Sequence, residues 1–340
     1  MSSQGPVRCA LIGLGAMGRE HAAILAASPA AELIVCCDTD PAAAAWVPAG
    51  VAFTTSMAEA LAMPGLEAVF VATPQSHHAE AVEAAIEWGH AIFCEKPISD
   101  TLGGADQIEA AAARSERPVV IGHMYRFEPR YRAIHQAIAA GRIGRLVHLS
   151  IRGLTPDFEG RALANRTSLA LENAIHGLDV LRWMAGDIDQ VYAETSRTGV
   201  AGVGLPDALV ATVRFAGGAI ATVESDWALP SATGIVNVEN LLVIGSAGVA
   251  WYDGRDSGAA IVGTSAGSEF PGLLTYRDPA GTPYGLYRME DEYFLAMVRD
   301  GREWPIDIAD ARAALIAALA IDRSVKEERP VRVDEFARSG

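Results

Sequence analysis

The stretch Val7-Arg8-Cys9-Ala10-Leu11-Ile12-Gly13-Leu14-Gly15-Ala16-Met17-Gly18 decides the fold. A short apolar run enters three glycines spaced G-x-G-x-x-G, and a helix-forming segment, Gly18 to Ala27, follows. An apolar run of that length, stopped by glycine, is the pattern of a strand buried on both faces. The first glycine permits a tight turn, the second lets backbone approach a pyrophosphate, and the third lets helix and strand pack closely. The helix start then offers free N–H groups and the positive end of its dipole to phosphate. In a chain with 33 glycines the pattern alone is weak. The strand before it and the helix after it give it meaning.

Working outward, a second strand-like run, Glu32 to Cys37, ends at Asp38, twenty residues after Gly18. A carboxylate there can accept hydrogen bonds from the adenosine ribose hydroxyls. Thr39 and Asp40 follow with no arginine beside them. Two carboxylates repel a 2′-phosphate, so NAD is favoured over NADP. Asp40 reads equally as the cap of a helix beginning at Pro41. Strands at Ala68–Ala72, Ala91–Cys94 and Val119–Ile121 then alternate with helices at His78–Trp88 and Gly103–Arg114. That alternation calls for a doubly wound parallel sheet.

The pattern changes near residue 122. A helix from Pro129 to Ala140 leads to a strand, Leu146–Arg152, a polar loop, Leu154–Thr167, and an apolar helix, Leu171–Ala185. Strand runs follow at Gln190–Thr198, Ala208–Phe215, Ala219–Trp227, Val236–Ile244 and Val249–Tyr252, with glycine turns such as Ala216-Gly217-Gly218 between them. This is an antiparallel sheet in a second domain. Residues 254–285 read as loop-heavy, and helices at Tyr287–Arg299 and Ile308–Lys326 close the chain. The fold class is α/β, with a dinucleotide-binding domain at 1–122 and an α+β domain at 123–340.

Two constellations carry chemistry. Cys94-Glu95-Lys96-Pro97 stands at the end of an apolar strand. Ligands of open α/β sheets sit outside the strands' carboxyl ends, so Lys96 is aimed at the crevice or forms a surface ion pair. In the helix near 168–184, Glu172, His176 and Asp179 are spaced i, i+4, i+7 and share one face. An acid beside an imidazole raises its basicity and orients the ring, as a general base requires. A solvated stripe with an Asp179–Arg182 pair is the bland alternative. Thr73, Pro74 and His78, in Ala72-Thr73-Pro74-Gln75-Ser76-His77-His78, follow the third long strand and border the cofactor or start a helix. Arg126, in Gly122-His123-Met124-Tyr125-Arg126-Phe127, touches a ligand or only holds the domains together. Arg161, Asn165 and Arg166 lie in the loop before the stripe helix.

Gly13–Gly18, Asp38, the 72–78 segment, Glu95-Lys96-Pro97, the 122–127 segment and Glu172-Asn173-Ala174-Ile175-His176-Gly177-Leu178-Asp179 occur in this order along the chain. Together they resemble the glucose–fructose oxidoreductase / inositol dehydrogenase / MocA family. The resemblance implies a Rossmann domain followed by an open, mostly antiparallel sheet domain. It implies oxidation of a secondary alcohol of a sugar, cyclitol or related substrate with NAD. Cofactor contacts fall on Gly13, Leu14, Gly15, Ala16, Met17, Gly18, Asp38, Thr73, Pro74, His78, Glu95 and Lys96. Lys96 orients the reacting hydroxyl and stabilises the alkoxide. His176 accepts the proton and Glu172 steadies the imidazolium, while Arg126 and Asp179 hold substrate with them. The family has aspartate where this chain has Glu172. Members often pair through the open sheet face, so a homodimer or homotetramer is expected. The rival readings are an NAD-dependent glycoside hydrolase of the same fold and a non-catalytic dinucleotide sensor. Retention of both Lys96 and His176 argues against the sensor.

Composition narrows the remainder. A net charge of −15 opposes nucleic acid and anionic membranes. No apolar run is long enough to span a bilayer, and the N-terminal residues do not read as a secretory signal. Cys9, Cys36, Cys37 and Cys94 lack metal-ligand spacing, so reduced thiols in a cytoplasmic protein and no metal are expected.

Overall fold

The structure is a computed structural model that describes residues 5–163, 166–199, 206–233, 235, 237–254, 261–263, 267–269, 275–278 and 281–337. Asn165, Val236 and much of the 254–285 stretch lie outside the described residues. Short hairpins pair Ile261–Gly263 with Gly267–Glu269 and Thr275–Arg277 with Pro283–Gly285.

The alternation in the first third folds as the periodicity implies. In chain order the elements are β1 (Val7–Ile12), α1 (Ala16–Ala27), β2 (Ala31–Cys37), β3 (Ala52–Thr54), α2 (Met57–Leu61), β4 (Ala68–Val71), α3 (His78–Glu87), β5 (Ala91–Glu95), α4 (Leu102–Ala112) and β6 (Val119–Gly122). All six strands are parallel, in the order β3-β2-β1-β4-β5-β6. The order reverses between β1 and β4, and the crevice at the carboxyl ends of that pair is where such sheets bind ligands. The strands are apolar because both faces are covered: every residue of β4 and β5 is buried.

The cover on one face comes from far along the chain. The compact units are Met1–Phe127 with Leu273–Arg312, and Glu128–Gly272 with Ala313–Gly340. The chain thus returns to its first unit, where a single division at 122/123 was expected. Phe294, on the helix Leu286–Asp300, meets Phe70 edge-on at 5.2 Å, and Trp304 meets Phe93 at 6.1 Å. Such aromatic pairs add about 0.5–1.5 kcal/mol each to the area they bury.

The second unit contains α5 (Pro129–Ala139), β7 (Leu146–Pro156), α6 (Asp157–Leu163), α7 (Ile175–Ala185), β8 (Ile188–Ser196), β9 (Ala208–Phe215), β10 (Ile220–Leu229), β11 (Val238–Gly245), β12 (Val249–Asp253), the helix Ile308–Glu327 from Ala313 onward, and β13 (Val331–Arg332). The sheet order is β12-β11-β7-β10-β9-β8-β13. Only β7 and β10 run parallel; every other neighbouring pair is antiparallel. Strand β9 alternates strictly, with Leu209, Ala211, Val213 and Phe215 inward. The outward face keeps Val210, Ile220, Ile244, Val249 and Trp251 exposed. The segment expected as a loop at 154–167 instead extends β7 to Pro156 and then forms α6, whose Arg161 pairs with Asp157 one turn away.

Candidate active site

The glycine turn is built as its spacing requires. Gly13 has φ +96°, and a Cβ there would lie 2.6 Å from the carbonyl oxygen of Ala72. A Cβ on Gly18 would stand 2.0 Å from the oxygen of Gly13. Both glycines are therefore demanded by packing. Gly15 differs: a Cβ there meets no atom of the described residues within 4 Å, and the residue is exposed. Gly15 also caps α1, which has no side-chain cap and no acidic residue in its first turn. An unfilled space before an uncapped helix start suits a pyrophosphate. Ala16 and Met17 border it, exposed and half-buried, while Leu14 is buried.

Asp38 braces this turn. Its Oδ2 accepts from the Leu14 N–H at 2.7 Å and its Oδ1 from the Asp40 N–H at 2.9 Å. Each carboxylate oxygen keeps capacity for a further donor, as ribose binding needs. Asp40 accepts from the Ala42 N–H and caps the 3₁₀ turn at Pro41, so the capping reading of that residue holds.

His78, expected at the cofactor, has both ring nitrogens engaged. Nδ1 lies 2.9 Å from the Pro97 carbonyl oxygen and Nε2 2.9 Å from that of Thr73. Burial holds its pKa below the usual imidazole value. Buried between the Thr73–Pro74 turn after β4 and the cis Lys96–Pro97 turn after β5, a neutral ring donates to one of these two carbonyls and only packs against the other. Glu95 is buried at the end of β5 and accepts from the Lys96 N–H at 3.0 Å, while Lys96 itself is half-buried. Gly13–Gly18, Asp38, Thr73, Pro74, Glu95 and Lys96 thus gather at the carboxyl ends of four adjacent strands. Arg126 is 2% exposed and pairs with Asp310 at 3.0 Å. Asp310 belongs to the same unit as Arg126, so this ion pair is internal to the first unit.

The stripe helix departs from regular spacing. Residues Ala170–Ala174 form a π turn, in which the Ile175 N–H reaches the Ala170 oxygen five residues back, before α7 continues. Glu172 therefore does not sit on a regular α-helical i, i+4 spacing from His176, as the sequence implied. Glu172 and His176 are half-buried and Asp179 is buried. Such π bulges recur at functional sites. Asn173, which the sequence reading passed over, donates from Nδ2 to the Asp226 carbonyl oxygen at 3.1 Å and stitches the bulge to β10.

Ser168 opens this segment, accepting from the Leu171 N–H and donating to Asp322 Oδ2 at 2.6 Å. Burial raises the Asp322 carboxyl to about 6. A raised acid costs nothing below its unfolded pKa, and stability falls as pH rises through about 6. Asp322→Asn keeps an acceptor for Ser168 and removes the charge. It is expected to be more stable than the parent at pH 8, by at most about 3 kcal/mol, with the gain vanishing near pH 4. Thermal melts at several pH values check this; a gain independent of pH would discard the assignment.

Comparison with known proteins agrees with this architecture. Residues 7–123 match the model of the GFO/IDH/MocA oxidoreductase family, NAD-binding Rossmann fold. Residues 131–251 match the C-terminal domain model of the same family. Inositol 2-dehydrogenase of Rhizobium meliloti is 26% identical over 333 residues, covering 96% of this chain and 99% of that protein. Inositol 2-dehydrogenase 3 of Saccharopolyspora erythraea is 36% identical over 188 residues, which is 53% of this chain and 54%, about half, of that relative. The crystal structure of scyllo-inositol dehydrogenase from Lactobacillus casei, with NAD(H) and scyllo-inositol bound, superposes with a TM-score of 0.81 over 97% of this chain and 99% of that one. At 21% identity that likeness speaks for the fold. No helix among the described residues is long and apolar enough to cross a membrane. The chain belongs to the GFO/IDH/MocA family of oxidoreductases with an NAD-binding Rossmann domain.

Proposed function

We propose that this NAD-dependent oxidoreductase acts on a secondary alcohol of a cyclitol or sugar-derived substrate, with Lys96 and His176 as its catalytic residues. The single observation that carries the reading is the glycine turn. Its packing glycines, Gly13 and Gly18, are filled by neighbours, and its middle glycine opens onto free space at a helix start. That is a dinucleotide cradle, and Lys96 stands two strands away at the same end of the sheet.

NAD, when bound, supplies the hydride acceptor. Gly13–Gly18 receive the pyrophosphate and Asp38 the ribose, with Thr73, Pro74 and Glu95 bordering the cofactor. Lys96 presents its ammonium where negative charge grows on the substrate oxygen, a preorganised charge that needs no reorientation during reaction. His176 takes the hydroxyl proton, Glu172 stabilises the imidazolium so formed, and Asp179 holds substrate hydroxyls. The first unit serves the cofactor and the second the substrate. The exposed apolar face of the second sheet fits a homo-oligomer, and the free cysteines Cys9, Cys36, Cys37 and Cys94 fit a cytoplasmic setting.

The test is a screen of cyclitols, aldoses and sugar acids with NAD, read by NADH absorbance. NADH should accumulate stoichiometrically with product. Glycoside cleavage without net NADH would favour a hydrolase instead. Asp38 and Asp40 give a second expectation, that NAD is preferred over NADP by at least about tenfold in kcat/KM, or about 1.4 kcal/mol. Equal efficiency with NADP would remove Asp38 from its role.

A further inference from the structure

Three buried ionisable side chains stand in line beneath the Lys96 turn. His21, on α1, is fully buried, with Nε2 2.9 Å from Glu95 Oε1 and Nδ1 2.9 Å from Asp291 Oδ2. Asp291 is also fully buried, on the helix Leu286–Asp300. The second oxygen of Glu95 accepts the Lys96 backbone N–H. The line therefore runs Asp291, His21, Glu95, Lys96. Phe70 and Phe93 flank the imidazole at 5.7 and 5.3 Å between ring centroids.

Both ring nitrogens face carboxylates, so both must carry hydrogen for both contacts to be hydrogen bonds. Burial opposes a charge on His21, but Asp291 and Glu95 outweigh it and lift its pKa well above the usual imidazole value. Burial pushes Glu95 up, yet His21, with the Lys96 charge behind it, brings it below the ordinary carboxylate range. Asp291 stays raised by burial against the pull of His21. The other titratable groups around the line are Glu20 on α1, His78 on α3 and the thiols of Cys9 and Cys94.

Charges buried in an aromatic core return less stability than apolar packing of the same volume. A purely structural role is thus a poor reason for this line, whereas fixing and polarising a reactive turn is a good one. We propose that His21 and Asp291 are positioning residues for the oxidation, acting through Glu95 to fix the Lys96 backbone and to keep a carboxylate behind the Lys96 ammonium. The proposal rests on the catalytic role given to Lys96 above. In a low-dielectric surround, each carboxylate removed from the line withdraws attraction from the ammonium.

The chain has only two lysines, Lys96 and Lys326, so the effect can be read directly. The full-length protein is labelled with lysine carrying ¹³C at Cε and titrated by NMR. Lys96→Met assigns the signals, and Lys326 serves as internal reference. In Asp291→Asn, the Lys96 signal should titrate at lower pH than in the parent by about half a unit or more, with Lys326 unmoved. Glu95→Gln should move it the same way and further. On whichever polyol the NADH screen identifies, Asp291→Asn should lower kcat about tenfold, with NAD affinity within a few-fold. A Lys96 signal that titrates as in the parent in these variants would overturn the proposal. So would ¹⁵N shifts of a neutral His21 ring at pH 7, a measurement on the parent that needs no variant to fold. Full kcat in Lys96→Met would instead overturn the catalytic reading and leave the coupling measured in the titration intact, so the two failures are distinct.

Discussion

Lys96→Met and His176→Ala are each expected to lower kcat by about 10² or more, at least about 2.7 kcal/mol of barrier, with NAD affinity within a few-fold. Methionine keeps the approximate length and apolar stem of Lys96 and removes the charged ammonium with its N–H donors. The Lys96 backbone stays anchored on Glu95, so the turn should keep its shape. On the proposed mechanism, what is lost is an electrostatic contact that strengthens as the substrate oxygen becomes an alkoxide, which appears in kcat. For His176 the loss proposed is that of the proton acceptor. Alanine is helix-compatible, and His176 is only half-buried, so the melting temperature should fall little. Pre-steady-state NADH formation and NAD titrations separate the two effects. A His176→Ala enzyme with near-parental kcat would remove His176 from its role, and the same result in Lys96→Met would remove Lys96.

The second large effect belongs to the glycine turn, where Gly15→Ala and Gly18→Ala should fail differently. A methyl at Gly18 would sit 2.0 Å from the Gly13 oxygen, so the turn itself must shift. A cost of about 1–3 kcal/mol in stability and loss of NAD binding by about 10² or more are expected. A methyl at Gly15 meets no atom of the described residues within 4 Å and should leave the melting temperature within about 1 °C. If pyrophosphate occupies that space, Gly15→Ala should still weaken NAD by about tenfold or more. Calorimetric NAD titrations alongside melts decide it. Parental affinity in Gly15→Ala would mean that the dinucleotide lies elsewhere.

The first sheet was legible because its strands are buried on both faces and read as unbroken apolar runs. β1 has the bounds expected from sequence, Val7–Ile12, and β4 and β5 agree within one residue. The edge strand β3 and the short helix α2 went unseen: three residues at an exposed edge carry almost no periodic signal. The π turn was invisible for another reason. Glu172-Asn173-Ala174-Ile175-His176 has the composition of a regular helix, while the π turn is accompanied by bonds from Asn173 to β10 and from Ser168 to Asp322. Local propensity cannot report such tertiary bonds. The 154–167 segment was misread because its polar residues spend themselves on local pairs, such as Arg161 with Asp157, that hold a helix. His21 and Asp291 were missed because a lone ionisable residue on an apolar helix face has no partner visible in sequence. Theirs are 74 and 270 positions apart.

The return of Leu273–Arg312 to the first unit bears on how the protein is made. A ribosome that has released Phe127 has emitted the whole parallel sheet, yet Phe70 and Phe93 still lack Phe294 and Trp304. At about 5–20 residues per second, the missing helix arrives about 10–40 seconds later. During that interval the nascent sheet carries an uncovered aromatic face, and a chaperone that shields it should raise the yield of native protein. A gene fragment ending near residue 127 should yield aggregates, and one that fuses residues 273–312 behind it should yield soluble protein.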